Sequence, residues 1–442
     1  MMDSKFDTVV LDIETDSLDA AKIHCICIQD YITGEQRDFI QEQGCEEFKK
    51  FHNQERKYIM HNGVSFDGPV LERLLGITIP LENIIDTLLI SQMINAHIDG
   101  GHSLKSWGKK LTQSGKLEFK DFDQYSEEML KYCQQDVHVT RKLMQHLAPK
   151  ITRFSTDSVR MEHRIRRIID QQEKHGFYLN VNKAHDLLEE LKTKSEDLKK
   201  DLQTIFATIY TPRFHKTTGK PLKDHVDEFN PSSRKQIAER LQKKYNWVPT
   251  KTTPTGLPVI DEQVLKELQY PEAKMIAEYL LYEKRVSQIK SWLKNVKDDS
   301  RVHGRVITLG CVTSRMSHYG PNMAQVPASY SPYGKECRSL WTIENPDKYC
   351  LVGSDASGLE LRCFAHYLQN PKFTEQVVDG DIHTYNQNII GLKDRPTAKT
   401  WVYAFIYGAG DAKLGQIVGG NTDAGLASRK RFINKVKGMK TL

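Results

Sequence analysis

Val9-Val10-Leu11-Asp12-Ile13-Glu14-Thr15 is the stretch whose reading decides the first domain. Its apolar residues suit a buried strand, and the side-chain period of two turns Asp12 and Glu14 to one face. Two acids side by side on an otherwise apolar strand repel one another, and a divalent cation relieves that repulsion. Outward from this strand, Ile23–Gln29 and the residues from Tyr31 onward suggest a hairpin. Helical patterns then dominate from about 68 to 148, which argues an α/β first domain. The segment HNGVSFDGPVLERLLG offers Asn62 and Asp67 at the start of a helix. In SEEMLKYCQQDVHVTRKL, Ser126 is placed to cap a helix on which Tyr132 and Asp136 stand four apart, on one face.

Composition sets outer limits. The 442 residues suffice for two to four domains, with 27% charged and 39% hydrophobic residues. No run of 18 apolar residues predicts a membrane-spanning helix, and the N-terminus lacks the pattern of a signal peptide. The eight cysteines show no zinc-type spacing and read as reduced, buried thiols. The net charge of +6 conceals a division. Residues 1–150 hold 17 basic and 24 acidic residues, whereas the remainder holds 46 basic and 33 acidic. A basic body suits a polyanionic partner.

Beyond residue 150 the pattern is mainly helical. A helix is expected from about Asp157, with an apolar stripe at Met161, Ile165, Ile168 and Ile169. A long charged amphipathic helix follows, then a loop-rich stretch over 211–260 in which Ser232 or Ser233 caps a helix. A basic helix ends near 297, and short strands and turns lie beyond 300. In LVGSDASGLELRCFAHYL, Leu351–Asp355 reads as a short inner strand after a buried-looking Tyr349-Cys350. A helix then starts near Gly358 with Glu360 in its first turn. A strand-end carboxylate facing a cleft is a common way to hold a divalent metal. In RPTAKTWVYAFIYGAG, Arg395, Lys399 and Tyr403 recur every four residues and span about 80° of one helical face. Two cations at that spacing can grip a triphosphate. Trp401, Val402 and Phe405 look like core.

Two resemblances emerge from these motifs. DxE, NxxxFD and YxxxD, in this order, resemble the DEDD exonucleases of the tyrosine type, as in proofreading domains attached to DNA polymerases related to bacterial polymerase I. Asp86 in IDTLLIS, and Ser103 and Trp107 in GHSLKSWG, support it. The order TSR…PN, DASGLELR, GDIHT and RxxxKxxxY…YG resembles the family A DNA polymerases, with wording close to those of short-tailed bacteriophages. The implied fold is an α/β, ribonuclease H-like exonuclease domain, followed by a mainly helical thumb and an incomplete α+β palm and fingers. The implied divisions are 1–150 exonuclease, 151–300 connecting helices and thumb, 301–380 first part of the palm, and 381–442 fingers.

The resemblance also implies roles. Asp12, Glu14, Asp67 and Asp136 would hold two ions of Mg²⁺ or Mn²⁺, and Tyr132 would orient the attacking water. Asp355 and the carbonyl of Ala356 would bind the polymerase metals, again two. Glu360 would lie under the nucleotide sugar and disfavour a 2′-hydroxyl. His383, Arg395 and Lys399 would hold the triphosphate, Lys399 also protonating the leaving pyrophosphate. Tyr403 would pack on the sugar, with weak rejection of dideoxynucleotides. Tyr407 would lie near the templating base, and Arg315 and Asn322 would contact DNA. Ser314 departs from the glycine usual at its place in the family.

Expected partners are primer-template DNA, single-stranded 3′ ends and dNTPs, in the cytoplasm of an infected bacterium. Thioredoxin dependence and membrane association are not expected. The His-Asp-Glu turn that carries the family's second palm aspartate does not occur in these residues. The chain therefore reads as a split or truncated polymerase; a second polypeptide completing the palm is expected ahead of truncation, because an unpaired palm strand leaves an exposed edge and apolar face. Two rival readings are a stand-alone DEDD 3′→5′ exonuclease whose polymerase region only grips DNA, and a non-enzymatic primer-template scaffold.

Overall fold

The computed structural model describes residues 6–112 and 117–441, which form two compact units, up to Tyr349 and from Cys350 onward. The first unit opens on a five-stranded sheet of β1 (Thr8–Thr15), β2 (Ile23–Asp30), β3 (Gln36–Ile40), β4 (Lys57–Met60) and β5 (Ile84–Asp86), ordered β3-β2-β1-β4-β5. The first three form an antiparallel meander, while β4 and β5 join parallel to β1. Helices α1 (Gln41–Phe51), α2 (Asp67–Leu75), α3 (Thr87–Ile94), α4 (Leu104–Leu111) and α5 (Glu127–Ile151) cover it. The central strand is apolar because both its faces are covered: Val9, Leu11 and Ile13 enter one core, and Val10 enters a second core against α5.

Local sequence sets the helix starts. Ser126 Oγ accepts from Met129 N, Ser103 Oγ from Ser106 N, and the Asp86 carboxylate from Leu88 N and Leu89 N, capping α5, α4 and α3.

The unit continues through α6 (Thr156–His175), β6 (Phe177–Tyr178), α7 (Val181–Ile205), β7 (Ile209–Phe214), β8 (Pro221–Asp227), α8 (Arg234–Tyr245), α9 (Glu262–Glu267) and α10 (Pro271–Asn295). Short strands follow: β9 (Arg301–Val302), β10 (Arg305–Ile307) and β11 (Ser317–Tyr319), then α11 (Gly334–Ser339). Two expectations are corrected here. On α6, Met161 and Ile168 are exposed; the face that packs carries His163, Arg166 and Ile169, because it meets polar partners. His163 Nε2 accepts from Asp86 N, and Arg166 binds Asp170 and Glu173. Residues 211–260 are not merely loops: β7 and β8 form a hairpin. Of the two expected caps, Ser233 is the one that starts α8. Tyr210 and Val226 pair across that exposed hairpin, so a pattern without a buried face gave no alternation to read.

The second unit is helical: α12 (Leu359–Leu368), α13 (Pro371–Val378), α14 (Ile382–Ile390), α15 (Arg395–Ile406), α16 (Asp411–Ile417) and α17 (Thr422–Lys435). Trp401 and Val402 are fully buried with Phe373, Leu414 and Phe432, and Trp401 Nε1 donates to Ser428 Oγ at 3.0 Å. The strand expected at Leu351–Asp355 does not form. Among the described residues this segment has no ladder partner, and backbone that pairs with nothing remains coil. Tyr349, Cys350, Leu351 and Val352 are accordingly exposed, not buried. The helix after it does begin at Gly358, which takes the left-handed φ of +58° as the N-cap.

Candidate functional site

The first constellation is carried by central strand β1, the start of α2 and α5; Asp12 and Glu14 come within 4.8 Å of each other and of Cys133, and Asp67 feels the charge of Asp136. Asp12 and Glu14 share the β1 face that looks toward α5, and across the ladder they stand opposite Cys27 and Cys25. Asp67 opens α2, and Tyr132 and Asp136 lie on α5. Glu14, Asp67 and Asp136 are only 7%, 3% and 3% exposed, which makes their charge costly without a counter-ion. Burial, with the like charges of Asp86 and Asp136 nearby, pushes Asp67 up to about 7. Its Oδ1 has no hydrogen-bond partner. A buried carboxylate oxygen without a donor, beside further buried carboxylates, is a hard oxygen ligand set suited to a divalent cation. Tyr132 is wedged by Phe119 and Phe122, with ring centroids 5.8 and 6.1 Å away.

Asp86 has a larger part than the sequence suggested. It is buried, and it accepts from the backbone of Asn62, Val64, Leu88 and Leu89 at 2.9–3.4 Å. Those bonds pin the loop that leads into Asp67. Within that loop Asn62 holds φ at +69°, a conformation short polar side chains tolerate. Burial still raises the Asp86 carboxyl, with His163 and the N–H groups of Val64, Asn62 and Leu88 lowering it only in part. Trp107 is buried below, beside Leu104 and Leu143.

In the second unit a cavity of about 830 Å³ is lined by Asp355, Ala356, Glu360, His383, Arg395, Lys399 and Tyr403, among others. All the residues predicted to meet the nucleotide or its metals thus share one concavity. Tyr407 reaches it through a hydrogen bond from its hydroxyl to Glu360 Oε1, 2.7 Å. The carbonyl of Ala356 accepts from Leu359 N at 3.3 Å, which leaves its second lone pair.

Sequence reasoning missed one member, Asp381. Its carboxylate caps α14 through His383 N and Thr384 N, and it accepts from Arg395 Nε at 2.8 Å. The Arg395 guanidinium, with Thr384, holds that carboxyl far below the usual range. Burial and the charges of Arg395 and Lys399 lower His383. The available signal was the Asp-x-x-Thr spacing at a helix start, a capping pattern. Arg315 and Asn322 belong to the first unit, in turns flanking β11; Asn322 Oδ1 is taken by Ala324 N, and its amide nitrogen is its remaining donor group.

Residues 187–442 match the model of the family described as DNA polymerase family A, and residues 1–152 that described as 3'-5' exonuclease. The chain belongs to DNA polymerase family A. It is a DNA-directed DNA polymerase chain with a 3′–5′ exonuclease domain. Among similar proteins are the DNA-directed DNA polymerases of Enterobacteria phage T3 and Escherichia phage T7, each 31% identical over 98% of this chain and 80% of the relative. DNA polymerase I of Aquifex aeolicus is 24% identical over 87% of this chain and 65% of its own length. A solved structure of the polymerase domain of Pol1 from M. smegmatis, in complex with DNA primer-template and dNTP, superposes with a TM-score of 0.74 at 16% identity. It covers all of this chain and 74% of that one. Among the described residues no helix is long and apolar enough to cross a membrane. Family A polymerases and their exonuclease domains generally use divalent metals.

Proposed function

We propose that this chain edits and extends primers during phage DNA replication in the bacterial cytoplasm, with an exonuclease centre in residues 1–150 and a nucleotide site around Asp355. The connecting helices and thumb would occupy 151–300, the first palm segment 301–380 and the fingers 381–442. The observation that carries the reading is the cavity that joins Asp355 to Lys399 and Tyr403, three positions spread over nearly 50 residues of sequence.

In the exonuclease centre Asp12, Glu14, Asp67 and Asp136 would hold two Mg²⁺ or Mn²⁺ ions. Bound there, the ions would supply charge stabilisation for the scissile phosphate and a more acidic water. The Tyr132 hydroxyl would hold that water in line with a single-stranded 3′ end, its ring fixed by Phe119 and Phe122. At the second site, His383, Arg395 and Lys399 would receive the triphosphate of a dNTP, with Arg395 pre-aimed by Asp381. Lys399 would give its proton to the leaving pyrophosphate. Asp355 and the Ala356 carbonyl would hold metal. Glu360, steadied by Tyr407, would exclude a 2′-hydroxyl beneath the sugar against Tyr403. Arg315 and Asn322 would contact the duplex.

A lone palm carboxylate is a weak anchor for two ions. We propose that further palm residues supply the partner of Asp355 and cover Leu351 and Val352. Their exposures of 70% and 87%, and the lack of a ladder partner for 351–355 among the described residues, support it.

One labelled primer-template, with Mg²⁺ and all four dNTPs, tests both centres. Residues 1–442 should shorten the primer, and an Asp12→Ala variant should leave it intact. Adding a polypeptide that carries the remaining palm should let the variant extend it, and Lys399→Ala should abolish that extension. Extension by Asp12→Ala alone would overturn the need for further palm residues. No nucleotide affinity even with that partner would leave a nuclease with a DNA-gripping region.

A further inference from the structure

Behind the exonuclease carboxylates lies a cluster that the proposed chemistry does not use. Cys25 and Cys27 alternate onto one face of β2, the face shared with Asp12 and Glu14 across the ladder. Helix α5 packs on that face and delivers Cys133. All three thiols are fully buried, and their sulfurs lie within 4.8 Å of one another. Cys133 Sγ also stands 3.5 Å from the Asp12 carbonyl and 3.6 Å from Asp12 Oδ2. Asp12, Glu14 and Cys133 themselves form a second group within 4.8 Å.

One buried thiol is an ordinary small apolar side chain. Three converging thiols with a carboxylate at their edge make a ligand set for a thiophilic ion. A tetrahedral zinc site, with Zn–S of about 2.3 Å, places its sulfurs roughly 3.8 Å apart, so this cluster needs only a small contraction. Mg²⁺ and Mn²⁺ prefer the oxygen ligands and have little reason to enter. We propose that Cys25, Cys27 and Cys133 form a soft-metal site for Zn²⁺ or a similar ion, with Asp12 as the fourth ligand shared with the exonuclease centre. Each coordinating thiol releases its proton to solvent as the ion binds. The route in is past Asp12, which is half-buried at the carboxylate edge. Occupancy turns Asp12 toward sulfur and removes it from the hard-metal set, so zinc inhibits the exonuclease where Mg²⁺ supports it.

The test uses the reduced full chain in a background with the exposed Cys350 and Cys363 changed to serine. Cd²⁺ alone is the first probe, followed by its thiolate charge-transfer absorbance and by competition with a chelator. One ion per chain should bind with that absorbance. Cys27→Val, which keeps an apolar strand residue, and Cys25→Ala should each weaken binding roughly tenfold or more. Both variants should keep the Mg²⁺-dependent exonuclease while losing its inhibition by Zn²⁺; melting curves in chelator identify a variant that fails to fold, in which case the other decides. Absence of the absorbance in the folded chain would overturn the proposal. So would inhibition of a folded variant as strong as in the parent, which would place zinc on the carboxylates alone. The absorbance does not depend on nuclease activity, so failure of the exonuclease reading would be seen separately.

Discussion

At the scale of single residues, Asp67 decides how the metal-free exonuclease domain responds to pH. Its carboxyl is raised in the folded chain to about 7, against an ordinary value of 3.8 when exposed. The folded state therefore holds this proton more tightly than the unfolded one. Its stabilising contribution is complete below about pH 4, fades as pH rises, and is gone above about 7. Asp67→Asn should raise the melting temperature of the chelator-treated protein at pH 8 and flatten its pH dependence between 4 and 8. It should also lower exonuclease turnover by roughly 100-fold or more, since a metal ligand is lost. An unchanged melting profile would contradict the burial argument.

Ser314 illustrates a residue in the wrong conformation for its type. Its φ is +58°, a left-handed value that costs a non-glycine residue roughly 1–2 kcal/mol. The glycine usual in similar polymerases has no such strain. Offset by the greater chain entropy of glycine, Ser314→Gly should stabilise the first unit by up to about 1 kcal/mol in denaturant titrations. Destabilisation would mean that the serine hydroxyl contributes something the backbone does not show.

At the scale of elements, Asp86 and Asp381 are each a helix cap recruited to hold a site. Asp86 ties the 62–64 loop to the start of α3, and so positions Asp67. Asp86→Ala leaves four backbone donors to find other partners in a buried place. It should cost roughly 2–4 kcal/mol and lower exonuclease activity even where the variant remains folded. Asp86→Asn, which keeps one acceptor oxygen, should recover part of both losses. Asp381→Ala removes the α14 cap and the anchor of Arg395. Nucleotide affinity, followed by fluorescence titration with a dNTP, should weaken several-fold; an unchanged affinity would show that Arg395 needs no anchor.

For the whole molecule the division of charge sets the DNA term. The acidic first 150 residues disfavour a phosphate backbone. On the proposed function, a 3′ end would enter there only where cations bridge the carboxylates, and the basic remainder would supply the grip. Primer-template affinity should fall by roughly 100-fold or more between 50 and 200 mM salt. Binding by residues 1–150 should show a weaker salt slope without divalent ions. A shallow slope for the whole chain would argue that its basic residues do not face the duplex.

The sequence by itself determined the local features. The period of two on Val9–Thr15 put Asp12 and Glu14 on one face, and the spacing of four put Tyr132 with Asp136 and Arg395 with Lys399 and Tyr403. Ser126 and Gly358 marked where helices begin. These properties need only a strand's or a helix's own repeat. Tertiary structure decided what depends on a neighbour. Leu351–Asp355 has strand-forming residues but remains coil because no ladder lies beside it among the described residues. Met161 and Ile168 are apolar yet exposed, because α6 packs through His163 and Arg166. Asp381 became the anchor of Arg395, and three cysteines more than 100 residues apart in part of their spacing became one cluster, only when helices folded onto their partners. Burial and pairing are properties of two segments at once, and no single segment's pattern contains them.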